Sequence, residues 1–207
     1  MLVSGPSLST AAAKAELRRQ LLARRRSLPA AVRARADAAV LAVLTDWVRQ
    51  HRPATVAAHL PFGTEPGGPG LIEVLAGARL LLPVLLPDLD LDWAAYAGPG
   101  TLRPGSRGPL EPAGPRLGPA AVSTADLVVV PAVAVDRAGL RLGRGGGSYD
   151  RALARVDPGT PVVALLHDGE LLPALPAQPH DRRVGAVVTA GDGYVELPSF
   201  AGRTTGP

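Results

Sequence analysis

The sequence predicts an α/β fold, a three-layer open and mostly parallel sheet flanked by helices, on three observations. A near-continuous β-branched run, Asp126-Leu-Val-Val-Val-Pro-Ala-Val-Ala-Val135, reads as one central strand buried on both faces. Shorter apolar runs of the same kind stand at residues 55–60, 79–84, 161–166 and 184–189. Segments with helical spacing separate several of them, and strands that alternate with helices imply parallel pairing.

Taken in order, Ser9 or Thr10 can cap a helix that runs to about Ser27, with Leu17, Leu21, Leu22 and Leu28 as its apolar stripe. Pro29 opens a second helix to about His51, with Val32, Val40, Val43, Leu44 and Trp47 facing inward. The strand at 55–60 is closed by Pro61, Gly67-Gly-Pro-Gly70 is a loop, and residues 71–76 form a short helix. After the strand at 79–84 comes a weaker one at 92–97. Residues 98–119 hold six glycines and six prolines and read as a long irregular connection, either functional or disordered. A helix over 148–156 follows the central strand, then the strands at 161–166 and 184–189. This gives a single domain over residues 14–192, a disordered extension at 1–13 and a frayed tail at 193–207.

Composition narrows the chemistry. With no cysteine among 207 residues, disulfides, zinc thiolate sites and cysteine nucleophiles are excluded. The net charge of +4 comes from 21 arginines and one lysine spread along the chain, with only 3% aromatics. No basic run is interleaved with stacking aromatics, so a nucleic-acid partner is not expected. Residues 1–13 lack a cationic start followed by an apolar run, so no signal peptide is read there. The longest apolar run, 80–86, is broken by Pro83 and falls far short of the roughly 20 residues a span needs, so a cytoplasmic chain with no membrane partner is expected.

The most informative stretch is Arg141-Leu-Gly-Arg-Gly-Gly-Gly-Ser-Tyr-Asp-Arg151, in which four of eleven residues are glycine and three are cationic. Glycines let successive backbone N–H groups converge on an anion, because no Cβ blocks the approach. A helix starting at Ser148 would turn its positive end to the same place. Arg141 and Arg144 add charge, and Asp150 adds a carboxylate suited to Mg2+. A nucleotide phosphate chain needs all of these. The loop is neither a Walker-type motif nor a dinucleotide fingerprint, and a flexible turn remains the plain alternative.

Other candidates are weaker singly. Lys14 is the one lysine, so it either supplies a compact ammonium that arginine cannot replace or is a solvated helix residue. Arg18 shares its helical face, while Arg24, Arg25 and Arg26 read as mostly solvated. Glu65 is a carboxylate in the loop beyond the first strand, where parallel sheets place their ligands, together with Asp168. His59 reads as a core histidine, and Asp181 as either a site residue or a turn carboxylate. No Ser-His-Asp triad or metal-ligand spacing is present.

These pieces, in this order, resemble the 5-formyltetrahydrofolate cyclo-ligase family, also called 5,10-methenyltetrahydrofolate synthetases. The resemblance spans residues 14–189 and rests on Lys14-Ala-Glu-Leu-Arg18, Leu60-Pro-Phe-Gly-Thr-Glu65, Gly108-Pro-Leu-Glu-Pro112, the run from Asp126 into the glycine loop, and Leu175-Pro-Ala-Gln-Pro-His-Asp181. It implies ATP- and Mg2+-dependent closure of 5-formyltetrahydrofolate, mono- or polyglutamylated, to 5,10-methenyltetrahydrofolate with release of ADP and phosphate. It assigns Lys14 and Arg18 to phosphate contact, and Arg141, Gly143, Arg144, Gly145, Gly146, Gly147, Ser148, Tyr149 and Asp150 to the nucleotide loop. Asp150 and Asp181 become metal candidates. Glu65 becomes the folate-side carboxylate, with catalysis resting on Arg141, Tyr149 and Glu65. Pro61, Phe62 and either Trp93 or Tyr96 become pocket walls. The family usually carries an aromatic where this chain has Ser148, often Phe where it has Val135, and in many members lysine where it has Gly146. An ATP- or folate-binding homologue without turnover, and a related enzyme acting on another N-formyl or amide compound, are the alternatives. Neither monomer nor homodimer is selected.

Overall fold

The structure is a computed structural model describing residues 9–105 and 109–198. The first eight residues of the expected extension and the last nine of the expected tail lie outside the described residues.

Helix α1 (Thr10–Ser27) is capped by the Ser9 side chain, which accepts from Ala12 N at 3.3 Å. Leu28, the residue before Pro29, is extended, so α1 ends there and α2 (Ala30–His51) begins beyond the proline. Then come β1 (Thr55–Ala58), α3 (Gly70–Leu75), β2 (Arg79–Leu85) and β3 (Leu91–Ala95). A hairpin of β4 (Leu102–Pro104) and β5 (Leu110–Pro112) follows, then β6 (Leu127–Pro131), β7 (Ala134–Asp136) and β8 (Arg141–Leu142). The chain finishes with α4 (Ser148–Leu153), β9 (Val162–Leu165), β10 (Leu171–Leu172), β11 (Ala186–Thr189) and β12 (Gly193–Glu196).

Seven strands form the main sheet in the order β12-β11-β9-β6-β1-β2-β3. The five central strands are parallel, and β12 and β3 close the edges antiparallel to β11 and β2. Side chains alternate across β6 as a pleated strand requires. Leu127 and Val129 join Val40, Leu44, Leu71 and Leu75 of α2 and α3 on one face. Val128 and Val130 join Trp93, Val122, Ala152 and Leu153 on the other. The three-layer expectation holds.

Five expectations change. The run 126–135 is two strands, not one. The chain leaves the sheet after Pro131, which has no N–H to continue a ladder, and β7 enters a separate sheet with β8 and β10. The carbonyls at the bend are taken by side chains: Arg141 donates to Pro131 O at 3.2 Å and Arg25 to Ala132 O at 2.7 Å. Helix α1 packs on this small sheet through Leu21 against Val133, Ala134, Leu140, Leu142 and Leu175.

Residues 98–119 are organised in their described part. Glu111 Oε1 accepts from Leu85 N at 3.1 Å, Leu117 N donates to Trp93 O at 2.8 Å, and Gly118 N to Asp92 Oδ1 at 2.7 Å. These bonds pin the hairpin and the segment after it to the β2–β3 edge. The expected frayed tail contributes β12 as an edge strand, and the expected extension contributes the first turn of α1. Val32, expected inside, is exposed.

Candidate active site

A cleft of about 440 Å3 opens beyond the carboxyl ends of β1 and β6. Its walls include the loop after β1 with Phe62 and Glu65, the glycine loop, the Lys14 and Arg18 turns of α1, the hairpin at Leu110 and Glu111, and the segment holding Gln178 and Asp181. Of the sequence-predicted site residues, all but Pro61, Asp168, Trp93 and Tyr96 line it. Trp93 is fully buried in the core, and Tyr96 packs on the α2 face, so neither is a wall. Leu91, at the start of β3, does reach the cleft, whereas Trp93 turns into the core and Tyr96 follows the strand's last residue.

The glycine loop is shaped around Arg141. This side chain is buried, donates to Asp150 Oδ1 at 3.1 Å and to Pro131 O at 3.2 Å, and sits 5.7 Å from the centre of the Tyr149 ring. A Cβ on Gly143 would lie 2.6 Å from Arg141 Nη1, so any other residue there would have to push the guanidinium aside. Gly145 and Gly147 have φ of +104° and +69°, a backbone that other residues adopt with strain. Arg18 Nε donates to Gly143 O at 2.7 Å, tying α1 to the loop. Helix α4 spans six residues rather than the nine expected, because the bonds of Arg155 N to Ala152 O and Val156 N to Leu153 O tighten the chain into a turn. The anion-binding capacity therefore rests on loop amides and cations more than on a helix dipole.

Two buried polar atoms in this cleft have no partner among the described residues: Arg141 Nε and the Tyr149 hydroxyl. Burial, and then the negative charge of Glu65, push the Tyr149 phenol above its ordinary value. Tyr149 is thus a neutral hydrogen-bond donor at physiological pH, not a base.

Glu65 is held from two sides. Its Oε2 accepts from Phe62 N at 3.0 Å, and its Oε1 accepts from Arg144 Nε at 2.9 Å. Arg144 thereby bridges the glycine loop to the loop after β1. Lys14 is buried, with Nζ 2.7 and 2.6 Å from the two carboxylate oxygens of Asp181 and 3.3 Å from Gln178 Oε1. Burial raises the Asp181 carboxyl, but the bonds from Lys14 and Gln178 N outweigh it and hold the group below its usual range.

Asp181 is the counter-ion of Lys14, with a bond from Lys14 on each carboxylate oxygen. Asp150 differs, because the bonds from Arg141 and from Arg182 N both fall on Oδ1. Among the described residues, no three His, Cys, Asp or Glu side chains group to cage an ion. Magnesium does not need such a cage, since it commonly takes one or two carboxylates plus substrate phosphates and water. The donor set fits an ion carried in on phosphate and met by Asp150.

Sequence reasoning missed or misread several residues. His59 is buried as expected, yet it also lines the cleft with Nε2 4.0 Å from Glu65 Oε2. Desolvation lowers its pKa, so the ring is neutral at physiological pH. Gln178 and Leu110 gave no signal of their own beyond the motifs that contain them. Arg25, read as solvated, is 1% exposed and pairs with Glu170. Asp168 lies beyond β9 as expected but accepts from Gly191 N at 2.9 Å, away from the cleft.

The sequence profile of the 5-formyltetrahydrofolate cyclo-ligase family matches residues 10–190. The chain belongs to this family. It is 43% identical over 191 residues to the 5-formyltetrahydrofolate cyclo-ligase of Mycolicibacterium smegmatis, covering 89% of this chain and 97% of that one. The cyclo-ligase of Escherichia coli K12 is 37% identical over 140 residues, 65% of this chain and 77% of the relative. The NMR structure of Aquifex aeolicus 5,10-methenyltetrahydrofolate synthetase superposes with a TM-score of 0.76 at 30% identity, covering 89% and 93% of the two chains. The Mycoplasma pneumoniae synthetase shares the fold, with a TM-score of 0.70 at 20% identity over 86% and 98%. Membership of a cyclo-ligase family makes the chain a ligase, and the cleft just described is where its chemistry is sought.

Proposed function

We propose that this chain closes 5-formyltetrahydrofolate to 5,10-methenyltetrahydrofolate at the expense of ATP, releasing ADP and phosphate. The observation that carries the reading is the convergence, in one cleft, of a cation-flanked glycine loop and a half-buried carboxylate, Glu65, reached by that loop's own Arg144. One part suits a triphosphate and the other a folate, and a phosphoryl transfer from one to the other needs both within bonding reach.

The chemistry asks for no protein nucleophile. The formyl oxygen attacks the γ-phosphorus, the bond to the β-phosphate bridging oxygen breaks, and ADP leaves. N10 then attacks the activated carbon, loses its proton, and the carbon–oxygen bond breaks to release phosphate. Phosphoryl transfer is mostly positioning and charge neutralisation. Backbone amides of residues 143–147 would receive phosphate oxygens, with Arg18 and Lys14 at the same mouth. Arg141, kept dry and oriented by Asp150 and Pro131 O, supplies fixed positive charge where the transferring group gains charge. The Tyr149 hydroxyl, a donor without an acceptor among the described residues, is free to bond a substrate oxygen. Magnesium, met by Asp150, would neutralise phosphate charge. Glu65 would accept a hydrogen bond from the pterin or the N10 side, and Phe62 and Leu110, both exposed at the cleft, offer apolar surface to the aryl ring.

Labelling the formyl oxygen with 18O tests this route. Recovery of the label in inorganic phosphate is expected; label that stays with a formate product would mean deformylation instead. Binding of ATP and folate with no release of ADP would select a repurposed homologue, with Ser148 the first residue to restore to an aromatic.

A further inference from the structure

Below the cleft, outside the residues so far given roles, lies a buried polar chain. Arg25 forks onto Glu170, Nε to Oε1 and Nη2 to Oε2, each at 2.7 Å. Its Nη2 also donates to Ala132 O at 2.7 Å, at the bend between β6 and β7. Glu170 Oε2 accepts from His167 N at 2.8 Å, fixing the turn after β9. From that turn the His167 ring reaches across, its Nε2 3.0 Å from Thr64 O. A carbonyl only accepts, so Nε2 carries the proton. Arg25, His167 and Glu170 are each buried.

This chain joins three walls of the cleft. Arg25 belongs to α1, which carries Lys14 and Arg18. Ala132 is itself a lining residue, next to the Pro131 carbonyl that orients Arg141. Thr64 is the residue before Glu65. The loop at 61–65 has few other anchors: Glu65 bonds back to Phe62 within the loop, and its other partner, Arg144, is half-exposed. A buried ion pair is weak evidence for a purely stabilising role, since apolar replacements often serve stability as well. What an ion pair with a histidine arm adds is a fixed distance between elements.

We propose that His167 is a positioning residue for Glu65, holding the 61–65 loop against the strand ends so that the carboxylate meets the folate side of the substrate. The inference rests on the functional reading above for its kinetic consequence, while the geometric claim stands apart from it. His167→Ala removes the arm, and His167→Gln keeps an N–H donor near the place of Nε2.

The test pairs kinetics with amide hydrogen exchange in the full chain. For His167→Ala, KM for 5-formyltetrahydrofolate should rise about fivefold, the scale of one neutral hydrogen bond, while KM for ATP stays unchanged. Exchange at residues 62–65 should quicken by a similar factor with β1, β6 and β9 unaffected, and His167→Gln should recover most of both effects. Equal shifts in the two KM values, unaltered exchange at 62–65, exchange quickened across the whole sheet, or a Gln variant no better than Ala would each overturn the proposal. If the wild-type chain turns over no 5-formyltetrahydrofolate, the functional reading fails instead, and the exchange result alone decides the positioning role.

Discussion

Arg141 and its neighbours show how residue type follows from contact. Glycine at 143 leaves room for a guanidinium passing 2.6 Å from where a Cβ would stand. Gly143→Ala should therefore displace Arg141 and cut kcat about tenfold or more, the size of one charged contact in the transition state, with the melting temperature lowered by only a few degrees. Unchanged kcat would mean that Arg141 does not act on the transferring group. Lys14 illustrates what a sequence conveys at this scale. Its isolation among arginines marked it as special, and it is buried against Asp181. The partner was not legible, because the two residues lie 167 positions apart and only the fold joins them. The same holds for Arg25: three adjacent arginines on a polar helix look alike until one of them meets a buried carboxylate.

At the scale of elements, propensity and pattern placed the helices and the parallel strands, since burial on both sheet faces leaves continuous apolar runs. They failed where side chains from elsewhere end or bend a strand. The break at Pro131 depends on Arg25 and Arg141 taking up carbonyls, and the hairpin β4–β5 is held to β2 by the Glu111 side chain, which accepts from Leu85 N. The junction of α4 with the turn before β3 makes a pH-dependent contribution. Asp90 accepts from Arg155 at 3.0 and 2.5 Å, and that bond, against the opposing effect of burial, holds its carboxyl below the ordinary value. A depressed carboxylate stabilises above its unfolded pKa, about 4, and the contribution disappears as pH falls through the lower folded value. Asp90→Asn should thus melt earlier than wild type near pH 7, and the gap should close as pH falls below about 4. A gap independent of pH would assign the loss to packing instead.

For the molecule as a whole, the cleft is assembled from segments separated by most of the chain: α1, the loop after β1, the hairpin, and the glycine loop. The order of motifs was enough to name the family, and the sheet's topology explains why they meet, since loops at the carboxyl ends of adjacent parallel strands share one side. Their mutual charge pairing was not readable: Asp181 pairs with Lys14, and Asp150 with Arg141.

The most direct test is the near-ultraviolet absorbance of methenyltetrahydrofolate on mixing the protein with 5-formyltetrahydrofolate, Mg2+ and ATP, for wild type and Asp150→Asn. The asparagine keeps an oxygen for Arg141 and Arg182 N, so the fold should persist. An ATP-dependent rise in wild type, reduced about a hundredfold or more in the variant, is the predicted result. No rise in wild type, or an equal rise in Asp150→Asn, would contradict the account.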